Sequence, residues 1–402
     1  MEKYTVIIPT RDRAETLEAT LRTCLRQTYK NFEIIVSDNC STDNTREIVD
    51  CFDDPRIRYV NPGRRLSMSG NFEFALGHVT DGFVMFIGSD DGIMPDAIEY
   101  VDSIVRQYEV DAVSCRQASY VWPDFPDRNI AGQLTFGGWR NDVEVRNSKE
   151  WINKTLNFQV HYCFDLPNLY CGFVHKRVID KSYKDGKYFH SITPDAYSAF
   201  ATAIFINKYA YSHKSFSIAG ASSKSNGASA LNPSGNGEEA NKFYSENDIE
   251  FCEGFVNCPS YEVLVAEAFA KLAQAFPEHC SPYKINYSAM INCALKNANS
   301  KTEEDVRNAV GIMGKNFAVE MEDEVCIAGR LRGKGPGDLF RAFISMLAPS
   351  RMVAISRSGE LGINNIDDAA LAAHLFNQRR NGNSFITNKE LITQNLKRMF
   401  RH

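Results

Sequence analysis

Two adjacent carboxylates, Asp90 and Asp91, follow the apolar run Phe83–Ile87 in the stretch FIGSDDG. Like charges side by side are costly unless a cation sits against them. Hard divalent cations choose oxygen ligands and bridge phosphate oxygens, so an Asp pair at a strand end suits holding a phosphorylated ligand through a metal. Two further polar groups follow apolar runs: Thr10-Arg11-Asp12-Arg13 after TVIIP, and Ser37-Asp38 after FEIIV. Each also has a plain structural reading. An Asp-Asp after a strand makes turns and caps helices, Asp38 can cap the next helix, and Arg11 and Arg13 can be solvated loop charges.

The elements that must position these groups alternate. Thr5–Pro9 reads as a strand, and Leu17, Leu21, Cys24 and Leu25 form the stripe of an amphipathic helix. Phe32–Val36 is a second strand, followed by a helix from a Ser41-Thr42 cap to about Phe52. Ile57–Val60 is a third strand, Asn71–Val79 a helix opened by Asn71, and Phe83–Ile87 a fourth strand. Pro95 is expected in the first turn of the next helix, before a fifth strand at Ala112–Cys115. Repeated strand–helix units with continuous apolar strands predict an α/β fold: a mainly parallel, Rossmann-like sheet with helices on both faces. Ligands of such sheets lie beyond the carboxyl ends of the strands, where the residues above fall. Neither GxGxxG nor GxxxxGKS follows the first strand, so phosphate must be neutralised otherwise, and a divalent cation does this.

The chain has 402 residues, which favours two domains. Its net charge of −5 gives no reason to expect nucleic acid. The 11 cysteines are scattered without a CxxC, as small buried hydrophobes in a reducing compartment would be. The N-terminus enters a strand directly and no apolar run is long enough to span a bilayer, so a cytoplasmic protein is expected, at most peripheral to a membrane.

VIIPTRDR at 6–13, IIVSDNCSTDNT at 34–45 and FIGSDDG at 86–92 together resemble family 2 glycosyltransferases of the GT-A fold, strongly over about 120 residues and more weakly to about 230. The resemblance implies a nucleotide-sugar donor, usually a UDP-sugar, over the carboxyl edge of the sheet. Pro9, Thr10, Arg11 and Arg13 would line the nucleoside pocket and Asp38 would bond the base. Asp90 would face the ribose, and Asp91 would hold Mn²⁺ or Mg²⁺ against the diphosphate. Ser89 stands where the family usually has Asp, making this an SDD variant that keeps one metal carboxylate. The family also places an Asp base near a helix start after the acceptor-binding segment. Asp195 in SITPDAYSAFATAIF matches, with Asp165 in CFDLPNLY as a second candidate. The plain reading of Asp195 is a favourable charge at a helix N-terminus. His213, in YAYSHKSF, is the nearest match to a metal-binding histidine of some relatives.

The implied activity is inverting, metal-dependent transfer of a sugar to a glycan or lipid-linked acceptor in surface polysaccharide biosynthesis. The competing class is a degenerate nucleotide-sugar-binding scaffold for other transferases. A sugar-nucleotide pyrophosphorylase would need a glycine-rich loop and a lysine where Thr10–Arg13 stand. The expected division is a transferase domain over 1–238 (donor half 1–120, acceptor half 121–238) and a helical extension over 239–402. Ala219–Gly237, rich in Gly, Ser and Asn, reads as a closing loop or a linker. The 339–355 segment and the basic 389–402 tail read as helices lying on a membrane or packed on the protein itself. Asn71 reads as a helix cap.

Overall fold

Runs of Val, Ile, Phe and Met with no polar interruption can be satisfied only where both sheet faces are covered. That is where they lie in this computed structural model, which describes residues 1–136, 141–161, 165–225, 245–319, 353–356 and 358–379. The chain runs β1 (Tyr4–Thr10), α1 (Ala14–Leu25), β2 (Phe32–Asp38), α2 (Thr45–Asp50), β3 (Ile57–Val60), α3 (Met68–Leu76) and β4 (Phe83–Phe86). Then come β5 (Gly92–Ile93), α4 (Ala97–Tyr108), β6 (Ala112–Cys115), β7 (Ala118–Val121), β8 (Leu134–Phe136), β9 (Val143–Asn147) and α5 (Ser148–Leu156). β10 (Phe173–His175), α6 (Pro194–Phe205), β11 (Lys208–Ser212) and β12 (Ser217–Ala221) complete the sheet-bearing half. α7 (Tyr261–Ala275), α8 (Tyr287–Asn297), α9 (Glu303–Asn316), β13 (Val353–Ile355) and α10 (Ile366–Arg379) follow.

The large sheet has the order β3-β2-β1-β4-β10-β6-β11-β9. β1, β2, β3 and β4 are parallel, with Thr10 beside Asp38. β10 runs antiparallel between β4 and β6. A second sheet, β13-β8-β7-β12-β5, stands at the carboxyl edge. α1, α4 and α10 bury Leu17, Leu21, Ile98, Val101, Ile366 and Ala369 against one face. α3, α5, α6 and α7 cover the other through Phe72, Leu76, Ile152, Phe200 and Phe269. α7 turns its opposite side, Val263 and Ala266, to α8 and α9 in a third cluster. The fold is thus a mixed α/β architecture with a helical region after it.

Four details depart from the sequence expectations. Pro95 precedes the N-cap Asp96 of α4 instead of lying in the first turn. α3 is capped by Ser67, which accepts from the Gly70 amide, and Asn71 is a buried residue within the helix. α2 begins at Thr45, where Asp43 accepts from the Thr45 amide at 3.1 Å, so Ser41 and Thr42 are not its cap. The packing does not follow the 238/239 division, because Ile363, Ile366, Ala369, Ala370, Ala372 and Ala373 belong to the same core cluster as β1 and α1. The Gly/Ser/Asn-rich stretch is β12 up to Ala221. Its part beyond 225, the 339–352 segment and the 389–402 tail lie outside the described residues.

Candidate active site

The strands deliver Thr10, Asp38 and the Ser89–Asp91 turn to one sheet edge because β1, β2 and β4 are parallel and in register. Thr10 is buried, and its Oγ1 has no hydrogen-bond partner among the described residues. A buried polar atom of this kind calls for a partner from outside the described residues. Asp38, 2% exposed, accepts the Ser41 amide at 2.9 Å and the Tyr59 hydroxyl at 2.5 Å. Asn71 binds the end of β2 from α3, accepting from Ser37 Oγ at 2.8 Å and donating to the Ser37 carbonyl at 3.2 Å.

The two carboxylates of the SDD turn have different surroundings. Asp91 is 2% exposed, and both its oxygens are taken by the protein. Oδ1 accepts the Gly220 amide at 2.7 Å; Oδ2 accepts the Gly88 amide at 2.7 Å and the Tyr170 hydroxyl. Burial, and then the charge of Asp90, push the Asp91 carboxyl up to about 7, against the pull of those donors. Asp90 uses only Oδ2, which accepts from Ser222 N (3.2 Å), Ser222 Oγ (2.7 Å) and Ser225 Oγ. Its Oδ1 accepts no hydrogen bond among the described residues. Glycine is required at 88 and 220 by close approach. A Cβ at Gly88 would lie 2.8 Å from Tyr170 Oη and 3.0 Å from an oxygen of each carboxylate, and one at Gly220 would lie 1.8 Å from the Asp90 carbonyl oxygen.

Asp91, expected to hold the metal, has a protein donor on each oxygen. Asp90, expected at the ribose, has protein donors on Oδ2 alone, so its Oδ1 is the more open of the four oxygens. His213 is not brought to the pair. It sits at the end of β11, three strands from β4 or ~14 Å at the usual strand spacing. There its Nε2 meets Glu144 Oε1 at 2.7 Å. Asp142, Glu144 and His213 hold potential ligand atoms within 4.8 Å of one another, but Glu144 is also paired with the Arg146 guanidinium at 3.2 Å.

The arginines expected at the nucleoside are engaged. Arg11 pairs with Glu246, which Arg65 Nε also approaches at 3.5 Å, and Arg65 reaches Asp12 at 3.2 Å. Arg13 takes the N-cap position of α1, and Pro9 lies in β1 opposite Ser37.

Asp195 lies in the first turn of α6 directly after Pro194. A chain of close polar contacts runs from its backbone carbonyl to the SDD turn. Tyr170, bonded to Asp91 through its hydroxyl, donates its amide to Asn168 Oδ1 at 2.8 Å. The same oxygen accepts from Ser198 Oγ at 3.1 Å, which lies 2.9 Å from the Asp195 carbonyl. The Asn168 Nδ2 has no partner among the described residues and the residue is buried. Asp165 is tied elsewhere: Oδ1 accepts from Arg146 at 3.1 Å and Oδ2 from the His161 amide at 3.2 Å. Arg146 is itself clamped between the rings of Trp151 and Tyr211 at 3.7 and 3.4 Å. Tyr170, Ser222, Ser225, Glu246 and Tyr59 were not anticipated, since a lone Tyr or Ser in a loop carries no spacing signal.

Residues 5–164 match the family model "Glycosyl transferase family 2". GalNAc(5)-diNAcBac-PP-undecaprenol beta-1,3-glucosyltransferase of Campylobacter jejuni is 36% identical over 101 residues, 24% of this chain and 33% of that protein. UDP-Glc:alpha-D-GlcNAc-diphosphoundecaprenol beta-1,3-glucosyltransferase WfgD of Escherichia coli is 34% identical over 112 residues, 27% of this chain and 44% of that one. The chain thus spans less than half the length of either relative. The solved structure of S. aureus TarS 1–349 in complex with UDP-GlcNAc is similar with a TM-score of 0.47 and 15% identity, covering 96% of this chain and 95% of that one.

Proposed function

Because residues 5–164 belong to glycosyl transferase family 2, we infer that this chain transfers a sugar from a nucleotide-sugar donor to a hydroxyl of a glycan or lipid-linked acceptor. The observation that carries this reading is the joint placement of Thr10, Asp38 and Asp90 at one sheet edge, within the matched segment. A UDP-sugar is the favoured donor; a UDP-glucose donor stands in the printed name of the Escherichia coli relative, whose acceptor is diphosphoundecaprenol-linked. A lipid-linked glycan is the acceptor we favour, in surface polysaccharide synthesis at the inner face of the cell membrane; the diphosphoundecaprenol-linked acceptor of that relative supports it. Among the described residues no helix is long and apolar enough to cross a membrane.

Thr10 Oγ1 receives the nucleoside, and Asp38, whose oxygens already accept from the Ser41 amide and the Tyr59 hydroxyl, would bond the base through a remaining lone pair. Asp90 Oδ1 fits a hard divalent cation, Mn²⁺ or Mg²⁺, which when bound would neutralise the diphosphate and ease its departure. Asp91 acts at one remove: with its oxygens filled by Gly88, Gly220 and Tyr170, it fixes the turn that presents Asp90. Asp195 accepts the proton of the attacking hydroxyl. The new bond forms on the face opposite the leaving diphosphate, so the anomeric configuration inverts.

The test is binding followed by turnover. UDP should raise the melting temperature with Mn²⁺ present and far less with excess chelator. Asp195→Asn should lower kcat by about 10²- to 10⁴-fold, the usual contribution of a general base, with donor affinity nearly unchanged. Proton NMR of the product should show the anomeric configuration opposite to the donor's. Full turnover in chelator would remove the metal from the reading; retention of configuration would remove the base.

A further inference from the structure

Glu267 is a fully buried carboxylate on α7, in the helical region for which the transferase reading has no use. Its surroundings lead to the candidate base. Oε1 accepts the Cys252 amide at 3.2 Å, and Oε2 lies 2.8 Å from the Ser191 hydroxyl. Burial pushes the Glu267 carboxyl above its usual range, and the Ser191 and Cys252 donors oppose this. A carboxylate only accepts, so the Ser191 hydroxyl hydrogen is committed to Glu267. Its lone pairs are then turned to the chain ahead, where the Thr193 amide donates at 3.3 Å. Thr193 Oγ1 also lies 3.2 Å away. Thr193 is the N-cap residue of α6, its carbonyl accepts the Tyr197 amide at 3.0 Å, and Asp195 stands two residues on. The Ser191 carbonyl in turn accepts from Ser69 Oγ of α3 at 2.8 Å.

Thr193 makes no side-chain cap bond to α6. The entry of this helix is therefore set from outside, by a fully buried serine held between α3 and α7. A buried carboxylate is expensive to keep unless it is hydrogen-bonded, and a leucine would fill the same α7 position at lower cost. A carboxylate at this position therefore points to a role that packing does not supply.

We propose that Glu267 is a positioning residue for the transfer reaction, acting through Ser191 and Thr193 to fix the first turn of α6 and with it the direction of Asp195. This rests on Asp195 being the base. It makes the helical region a working part of the site, since the acceptor hydroxyl must meet Asp195 within hydrogen-bond reach.

The test uses the full chain with Glu267→Gln, Glu267→Ala, Ser191→Ala, the Glu267→Ala/Ser191→Ala double variant and Asp195→Asn. UDP release from UDP-glucose and UDP-GlcNAc with Mn²⁺ gives kcat, calorimetry gives the UDP Kd, and amide exchange is followed by peptide. Glu267→Ala and Ser191→Ala should each lower kcat about tenfold or more, with UDP Kd within twofold of the parent. The double variant should be no worse than the poorer single one, because both break one relay. Glu267→Gln, which can still accept one of the two bonds, should recover much of the loss. Exchange over 192–198 should quicken in both alanine variants while that over α1 stays unchanged. Should Glu267→Ala fail to fold, Ser191→Ala carries the same expectations. Three results would overturn the proposal: normal kcat in Ser191→Ala beside a crippled Asp195→Asn, additive losses in the double variant, or exchange that quickens over the whole domain. A near-normal Asp195→Asn would reject the base itself, and the positioning role with it.

Discussion

Asp90 and Asp91 differ by one position along the chain and by their entire hydrogen-bond environment. That difference predicts opposite phenotypes. Asp91→Asn cannot accept on both sides, so an amide nitrogen would face either the Gly220 N–H or the Gly88 N–H and Tyr170 O–H groups. Leaving a buried donor unpaired costs about 1–3 kcal/mol, so chemical denaturation should show Asp91→Asn destabilised by about that much. Asp90→Asn can keep its amide oxygen at the Oδ2 position, where Ser222 and Ser225 donate, and so puts the amide nitrogen at Oδ1; it should leave the melting temperature of the free protein almost unchanged. It should abolish the additional stabilisation that Mn²⁺ gives in the presence of UDP, read by thermal shift. The reverse pattern, a stable Asp91→Asn without metal response, would restore Asp91 as the ligand.

Elements meet across the two halves through side chains with little spare room. His161, after α5, stacks on Tyr261 at the start of α7, with ring centroids 4.3 Å apart and Nδ1 3.1 Å from the Tyr261 hydroxyl. Burial pushes the His161 imidazole down to about 3. The folded protein therefore holds it neutral, whereas the unfolded chain takes up a proton below about pH 6.5. The stability this contributes is whole above about 6.5 and is lost progressively as pH falls towards 3. His175 and His190 are lowered by burial too and act in the same direction. Asp91, pushed up to about 7, works in the opposite sense over the same window. The test is therefore a comparison, in which His161→Phe, which keeps a stacking ring but no titrating nitrogen, should lose less stability than the parent between pH 7 and 5. An identical slope in the variant would assign the acid sensitivity elsewhere.

At the scale of the whole molecule, the chain returns to its beginning. Arg26, at the C-cap of α1, grips Asp367 of α10 with two bonds, at 2.8 and 2.7 Å. Ile366 is fully buried, and its Cγ1 would lie 3.2 Å from a Cβ at Gly92, the residue that follows the SDD turn. A truncation to alanine in such a place costs about 2–5 kcal/mol. Ile366→Ala should therefore lower stability by that order, measured in urea. Trp122, whose indole donates to the Asp90 carbonyl at 2.9 Å, should report the same midpoint as far-ultraviolet circular dichroism. Two separated transitions would mean that the first 225 residues and α10 do not unfold as one unit.

What the sequence alone determined is what local pattern can encode. Uninterrupted apolar runs announce β1, β2 and β4, because a strand buried on both faces needs no alternation. Parallel pairing then puts whatever follows each run on one edge, so Thr10, Asp38 and Asp90 were legible as neighbours. Asp195 at the head of α6 was legible from the proline before it. Helix starts were less so: Asn71 and Pro95 look like start signals, but Ser67 and Asp96 hold those positions. What only the tertiary structure decided is which way each carboxylate faces. The donors to Asp91 come from residues 88, 170 and 220, the last 129 positions away. The three-residue β10, the Glu267 link to Ser191 and the return of α10 arise from equally distant segments. Side-chain partners of that separation are chosen by packing of the finished sheet and helices, and no periodicity within a short window of sequence records them.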